Sequence, residues 1–365
     1  MKARELSIYI KGDFMKKMYI VLEDGNVFEG KGYGATGETV GELVFTTGVV
    51  GYIETLTDAA YYGQVVLQTF PLIGNYGIIN EDTNGAKPVI KAYIAREICD
   101  MPSNFRCEGL LEDYLKENNI VAVCDVDTRE LTKIIRENGN MNVCITENPE
   151  NVDLAALKAY TIKDAVASVA SGKKGYFEAE DMKYSVAMLD CGAASNSIDK
   201  LTEKGCSVTV FPYNTKAEEI LEGSFDGVVI TNGPGNPAEN AEIIAEVKEL
   251  MADKPVFGFG LGHQLMALAM GGQTQKMKFG HRGGSVPVRN AVDGKVFATH
   301  QNHGYVVSEI PADAKILFTN VSDNTNEGLE YVKAFSIQFT PDCFSASVDT
   351  DKIYDKFISL MGGDK

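Results

Sequence analysis

Two rhythms of apolar residues divide this chain. Up to about residue 146 the apolar positions fall in short β-rich runs, and from Ser185 onward apolar runs alternate with helical patterns. YIVLEDGNVFEG at 19–30 sets Asp24 and Gly25 between two such runs, a hairpin signal because both residue types can take positive φ. VAVCDVD at 121–127 reads as a buried strand. TRELTKIIRENG at 128–139 places Leu131, Ile134 and Ile135 on one helical face and ends at Gly139. The polar stretch from about Glu147 to Lys183, with Asn148, Pro149 and GKKG at 172–175, predicts a connection carrying a short helix around Leu154 to Tyr160.

In the second half, strands are predicted at VAMLD 186–190, CSVTVFP 206–212, GVVIT 227–231 and PVFGF 255–259, with helices near 196–204, 215–222 and 239–252 between them. This alternation predicts a doubly wound, mostly parallel sheet whose sites lie beyond the carboxyl ends of its strands. Short β-like runs are expected to about Phe339 and a helix near 349–361. The fold class is α/β, with a β-containing amino-terminal domain. The expected division is an extension at 1–18, a first domain at 19–146, a connection at 147–184 and a second domain at 185–365.

Composition narrows the function classes. A length of 365 residues with 44% hydrophobic content fits two globular domains, and a formal charge of −17 opposes binding to nucleic acid or to an anionic membrane surface. Cysteines 99, 107, 124, 144, 191, 206 and 343 stand singly, with no histidine at metal-ligand spacing, so no metal site or disulfide framework is indicated and a reducing cytoplasm is expected. No apolar run approaches membrane-spanning length. The first twenty residues lack the apolar core of a signal peptide, and Met15 or Met18 is a candidate start.

The most informative segment is FGFGLGHQLMALAMGG at 257–272, which reads as the strand, sharp turn and helix of a nucleophile elbow with Gly260 at the elbow position. A glycine has no nucleophile. The segment resembles the elbow of the class I glutamine amidotransferases, where this position carries the cysteine that attacks glutamine. The likeness extends along the chain and is best to the small subunit of carbamoyl phosphate synthetase. LEDGNVFEGKGYG at 22–34, GYIETLTDAAYYGQ at 51–64, PLIGNYG at 71–77 and VCDVDTRELTKIIRENG at 123–139 resemble that family's first domain. TNGPGNP at 231–237, MKFGHRGG at 277–284 and QNHGY at 301–305 resemble its glutaminase domain. The resemblance therefore implies a class I glutamine amidotransferase-like second domain.

Amide hydrolysis by cysteine requires a thiolate, a base, a group that orients the base and donors for the oxyanion. By resemblance the family's histidine and glutamate follow a buried strand, here AFSIQF at 334–339, which puts Thr340 and Asp342 at those positions. Gly48, in FTTGVVGY, stands where the family's serine contacts glutamine, and Ala194 and Ser195 replace two basic residues. Gly233, Gly235, Leu261, Gln264, Asn302, Gly304 and Tyr305 match positions that contact glutamine, with the Gly235 and Leu261 amides implied as the oxyanion hole. For the glycines, turn geometry is an equal explanation. His263, His281, His300 and His303 match no catalytic base, and Cys343 lacks an evident activating partner.

The resemblance implies a partner, the ATP-dependent large subunit that receives ammonia through a tunnel for pyrimidine and arginine synthesis. ATP and Mg²⁺ are expected only there, and this chain needs no cofactor of its own. Three roles stay open: a non-catalytic partner of that subunit, a glutaminase using replacement groups such as Cys343 and His303, and a glutamine sensor.

Overall fold

The computed structural model describes residues 16–83, 86–193, 195–341 and 351–362. The chain divides into two compact units, Met1–Ile162 and Lys163–Lys365.

In the first unit, β1 (Lys17–Leu22) and β2 (Val27–Gly34) form the antiparallel hairpin that the pattern predicts. Gly25 takes φ 91° but Asp24 does not take a positive φ. Instead the Asn26 amide donates to Asp24 Oδ1 at 3.0 Å, an Asx turn that widens the loop beyond two residues. The other strands are β3 (Thr39–Thr46), β4 (Gln64–Gln68), β5 (Leu72–Ile73), β6 (Ala92–Ile94), β7 (Glu97–Ile98), β8 (Val121–Cys124) and β9 (Met141–Thr146). Among the described residues a closed barrel runs β1-β2-β8-β6-β4-β3-β9, while β5 and β7 pair separately. Closure leaves this small sheet without open edges. Val44, Val66 and Tyr93 pack with Tyr52, Ile53 and Leu56 of the helix Tyr52–Thr57. The helix Thr128–Asn138 is capped by Asp127 Oδ1, which accepts from the Glu130 amide at 3.0 Å, and it buries Leu131 and Ile135. Gly48 lies two residues after β3.

The second unit is built on one sheet. Its strands are β10 (Gly175–Phe177), β11 (Tyr184–Asp190), β12 (Cys206–Pro212), β13 (Gly227–Ile230), β14 (Val256–Phe259), β15 (Gln273–Asn290), β16 (Val296–Glu309), β17 (Lys315–Asn320), β18 (Asn326–Glu330) and β19 (Ala334–Ile337). Their order is β10-β12-β11-β13-β14-β19-β18-β17-β15-β16. The five strands from β12 to β19 in that order are parallel, and the remainder pair antiparallel. Of the stretch expected as a connection, the helix Leu154–Lys158 lies within the first unit and β10 forms an edge of this sheet.

Alternation along the parallel strands sorts their side chains between two faces. Ala187, Leu189, Val228 and Ile230 pack with Ile243, Val247 and Leu250 of the helix Ala241–Asp253 and with Leu265 and Met266 of the helix Leu261–Ala269. Val186, Met188, Val229, Phe257 and Phe259 pack on the opposite face with Ile198 and Leu201 of the helix Ser195–Glu203, and with Tyr354 and Phe357 of the helix Asp351–Leu360. Helices on both faces make the sheet doubly wound.

The expectation of short strands after the elbow does not hold for β15 and β16, which run 18 and 14 residues. Register shifts between Lys276 and His281 and between Gly283 and Val286, with Gly280 at φ 72°, break the period-two pattern by which a long strand is recognised.

Candidate functional site

The parallel strands end together at one edge, which collects TNGPGNP after β13, the elbow after β14 and Thr340 shortly after β19. Gly260 has φ 57° and ψ −115° and leads into the helix Leu261–Ala269. Its amide donates to Ile337 O at 2.9 Å, and the Gly262 amide donates to Thr231 O at 3.2 Å, so the turn is bonded to the strands on both sides. The helix runs tight against the sheet because a Cβ at Gly262 would overlap the Ile230 carbonyl. Nearly all of its residues are buried, His263 and Gln264 included. The geometry is that of a nucleophile elbow, in which a side chain at position 260 would be held in a sparsely populated conformation.

The space such a side chain would take is filled. A Cβ built on Gly260 would overlap Oδ1 and Cγ of Asn232 and lie 2.8 Å from its Cβ. Asn232 Oδ1 accepts from the Leu261 amide at 2.9 Å, and both residues are buried. Leu261 N is one of the two donors that the sequence resemblance assigns to the oxyanion hole, and here a side-chain carbonyl of the same chain already holds it. Asn232 sits inside the TNGPGNP motif, but sequence reasoning singled out only its glycines. The available signal was a short primary amide at the end of a parallel strand beside the elbow.

Gly233 and Gly235 have structural reasons of their own. A Cβ on Gly233 would overlap the Cys191 carbonyl, and Gly235 has φ 88°. Gln264 also has a role that its sequence did not reveal: its Nε2 donates to Tyr305 O at 2.8 Å and to Gln338 Oε1 at 2.9 Å, tying the helix to β16 and to the segment after β19. Asn302, Gly304 and Tyr305 lie on β16, where Asn302 is opposite Arg282. Thr340 donates its amide to His300 O at 3.0 Å, which places the family's base position beside β16. Asp342, Cys343 and Ala194 lie outside the described residues. Gly48 belongs to the other unit, and a Cβ there would meet only Val50 O at 3.3 Å and Thr46 Oγ1 at 3.7 Å.

Family models match the chain in two blocks. Residues 20–145 match the carbamoyl-phosphate synthase small chain, CPSase domain, and residues 187–360 match glutamine amidotransferase class-I. The carbamoyl phosphate synthase small chain of Clostridium perfringens is 44% identical over 346 residues, covering 94% of this chain and 99% of its own. The chain belongs to the carbamoyl phosphate synthase small-chain family. The Lactococcus lactis small chain is 40% identical, covering 95% of this chain and 99% of its own. The pyrimidine-specific small chain of Lactiplantibacillus plantarum is 42% identical, with coverages of 96% and 97%.

His263, His303 and four of the cysteines of this chain are held in unreactive states by burial. His263 Nδ1 meets Ser336 Oγ at 2.8 Å, and burial pushes its pKa down to about 3, so the ring stays neutral between its helix and β19. His303 Nδ1 lies 2.8 Å from Tyr305 O and Nε2 lies 3.1 Å from Gln301 Oε1; both are acceptors, and the neutral ring that burial favours, with its pKa held well below the ordinary value, donates to one of them. Burial also pushes the Cys124, Cys144 and Cys206 thiols up to about 11, and Cys191 higher still, which suppresses the reactive thiolate.

His281, His303 and Glu327 bring potential metal-ligating atoms within 4.8 Å of one another. Hydrogen bonds already use this set. Asn320 Nδ2 lies 3.0 Å from Glu327 Oε1 and 3.3 Å from His281 Nδ1, supplying a donor between them, and Gln301 Nε2 donates to Glu327 Oε2 at 2.8 Å. Burial lowers the His281 pKa, but hydrogen bonding to Glu327 and the charges of Glu327 and Asp323 outweigh it and raise the value overall. The cluster balances the buried Glu327 carboxylate within the β15–β18 region. Among the described residues, no helix is long and apolar enough to cross a membrane.

Proposed function

We propose that this chain is a small subunit of carbamoyl phosphate synthase, or a paralogue of it, that has no glutaminase activity of its own and serves as the non-catalytic partner of an ATP-dependent large subunit. The observation that supports this reading is the state of the elbow: Gly260 offers no nucleophile, and Asn232 Oδ1 holds the Leu261 amide needed by a developing oxyanion. Thr340 at the base position adds to it, because a hydroxyl has no accessible conjugate acid near neutral pH. ATP and Mg²⁺ would bind only to the large subunit, which would take free ammonia. The setting would be cytoplasmic, in pyrimidine or arginine synthesis.

The test is to co-express the chain with the large subunit of its own organism, purify the complex and compare glutamine with ammonium as nitrogen donor. Stable association with ammonium-dependent synthesis alone is the expected result. Glutamine-dependent synthesis at a comparable rate would overturn the non-catalytic reading. Failure to associate would overturn the partner role.

A further inference from the structure

Asn232 makes the hydrogen bond that a bound primary amide would otherwise make. Its side chain is a carboxamide, the functional group of glutamine, and its Oδ1 takes the Leu261 amide at 2.9 Å. Its Cγ and Oδ1 occupy the space of a nucleophile's Cβ. The backbone of Asn232 is held separately, by a bridge to Ala193 and by Thr231 Oγ1, which donates to Asn232 O at 3.0 Å. Losing the side chain therefore leaves the loop anchored.

An intramolecular amide has a large advantage over a dissolved one, since it gives up no translational freedom on binding. A glutamine that enters this pocket must first break the Asn232–Leu261 contact and rotate the side chain into a buried, packed region. The same contact cannot coexist with any residue bearing a Cβ at position 260, because the atoms overlap. The glycine and the inserted asparagine are thus two aspects of one state: removing the nucleophile's side chain creates the space that Asn232 fills.

We infer that Asn232 is the specificity-determining residue of this pocket, its own carboxamide occupying the seat of a primary-amide ligand and excluding glutamine. This rests on the reading of the elbow as the family's amide site. It also goes beyond the missing thiol, because a glycine at position 260 would by itself abolish attack while leaving glutamine free to bind.

The experiment is calorimetric titration of the full-length chain with L-glutamine, for the wild type, Asn232→Ala and Asn232→Ser. The wild type is expected to show no saturable binding in the millimolar range, and both variants are expected to bind at least about tenfold more tightly, the worth of one buried hydrogen bond. Wild-type binding that weakens in the variants would overturn the inference, because Asn232 would then be a ligand contact. Absence of any gain in folded variants would overturn it equally.

If both variants misfold, the wild-type Leu261 amide is followed by NMR. A resonance that exchanges slowly and does not move when L-glutamine is added supports the inference, and one that shifts on titration overturns it. Ammonia release by the wild type is the separate result that would defeat the non-catalytic reading. Altered binding without release bears only on Asn232.

Discussion

Placing a side chain on Gly260 should destabilise the second unit, and most of the cost should arise at Cβ. At φ 57° and ψ −115°, a residue with a Cβ carries strain of about 1–3 kcal/mol. The same Cβ overlaps the carboxamide of Asn232, so the Asn232–Leu261 hydrogen bond must break and a buried N–H lose its partner, costing about 1–3 kcal/mol more. Burial of one added methyl-sized group returns less than about 1 kcal/mol. A net loss of about 1–6 kcal/mol follows, which for a unit of about 200 residues lowers Tm by roughly 2–24 °C.

Gly260→Ala isolates the Cβ, and Gly260→Cys adds the thiol, so the two should lose nearly the same stability in urea or thermal unfolding. Asn232→Ala removes Cγ and Oδ1 but leaves its own Cβ 2.8 Å from the new one. A double-mutant cycle between the two sites should therefore show a favourable coupling of about 1–2 kcal/mol rather than full rescue. The reasoning fails if Gly260→Ala lies within about 0.5 kcal/mol of the wild type, or if the substitutions are additive.

The wild-type chain should release ammonia from glutamine no faster than buffer, as measured by a coupled dehydrogenase assay; turnover that disappears specifically in Cys343→Ala would instead establish a replacement nucleophile. Restoring Gly260→Cys, Thr340→His, Asp342→Glu and Gly48→Ser together is expected to give detectable hydrolysis, since Gly260→Cys alone has only a few per cent thiolate at neutral pH and no positioned base. A folded four-site variant that neither hydrolyses glutamine nor forms an adduct with a glutamine-like electrophile would show that the pocket has diverged beyond its triad positions. Finally, with His263 at about 3 in the native state and about 6.5 when unfolded, the unfolded chain binds the extra proton between those values. This residue's contribution to stability is therefore lost as pH falls below about 6.5, by about 1.4 kcal/mol per unit until pH 3. His263→Leu should narrow its stability deficit against the wild type by about 2 kcal/mol between pH 7 and pH 5, and a pH-independent difference in denaturant unfolding would refute the assignment.

The alternation of apolar runs with helical patterns from Ser185 onward determined the doubly wound sheet, because each strand buried on both faces must read as a short continuous apolar run. Local order was equally legible where it depends on neighbours in sequence: the Gly139 stop and the strand, turn and helix around Gly260. The absence of a nucleophile at that elbow is a matter of composition, visible without coordinates. The long β15–β16 ribbon was hidden because its bulges interrupt the period by which strands are recognised. The roles of Gln264 and Asn232 were hidden for a different reason. Gln264 meets Tyr305 and Gln338 across 41 and 74 residues of chain, and Asn232 meets Leu261 across 29. No local pattern encodes partners at such separations. Sequence could show that a side chain is missing from position 260, but only the tertiary structure decided what fills the space, because that depends on which neighbouring group can reach both the empty volume and the unpaired amide beside it.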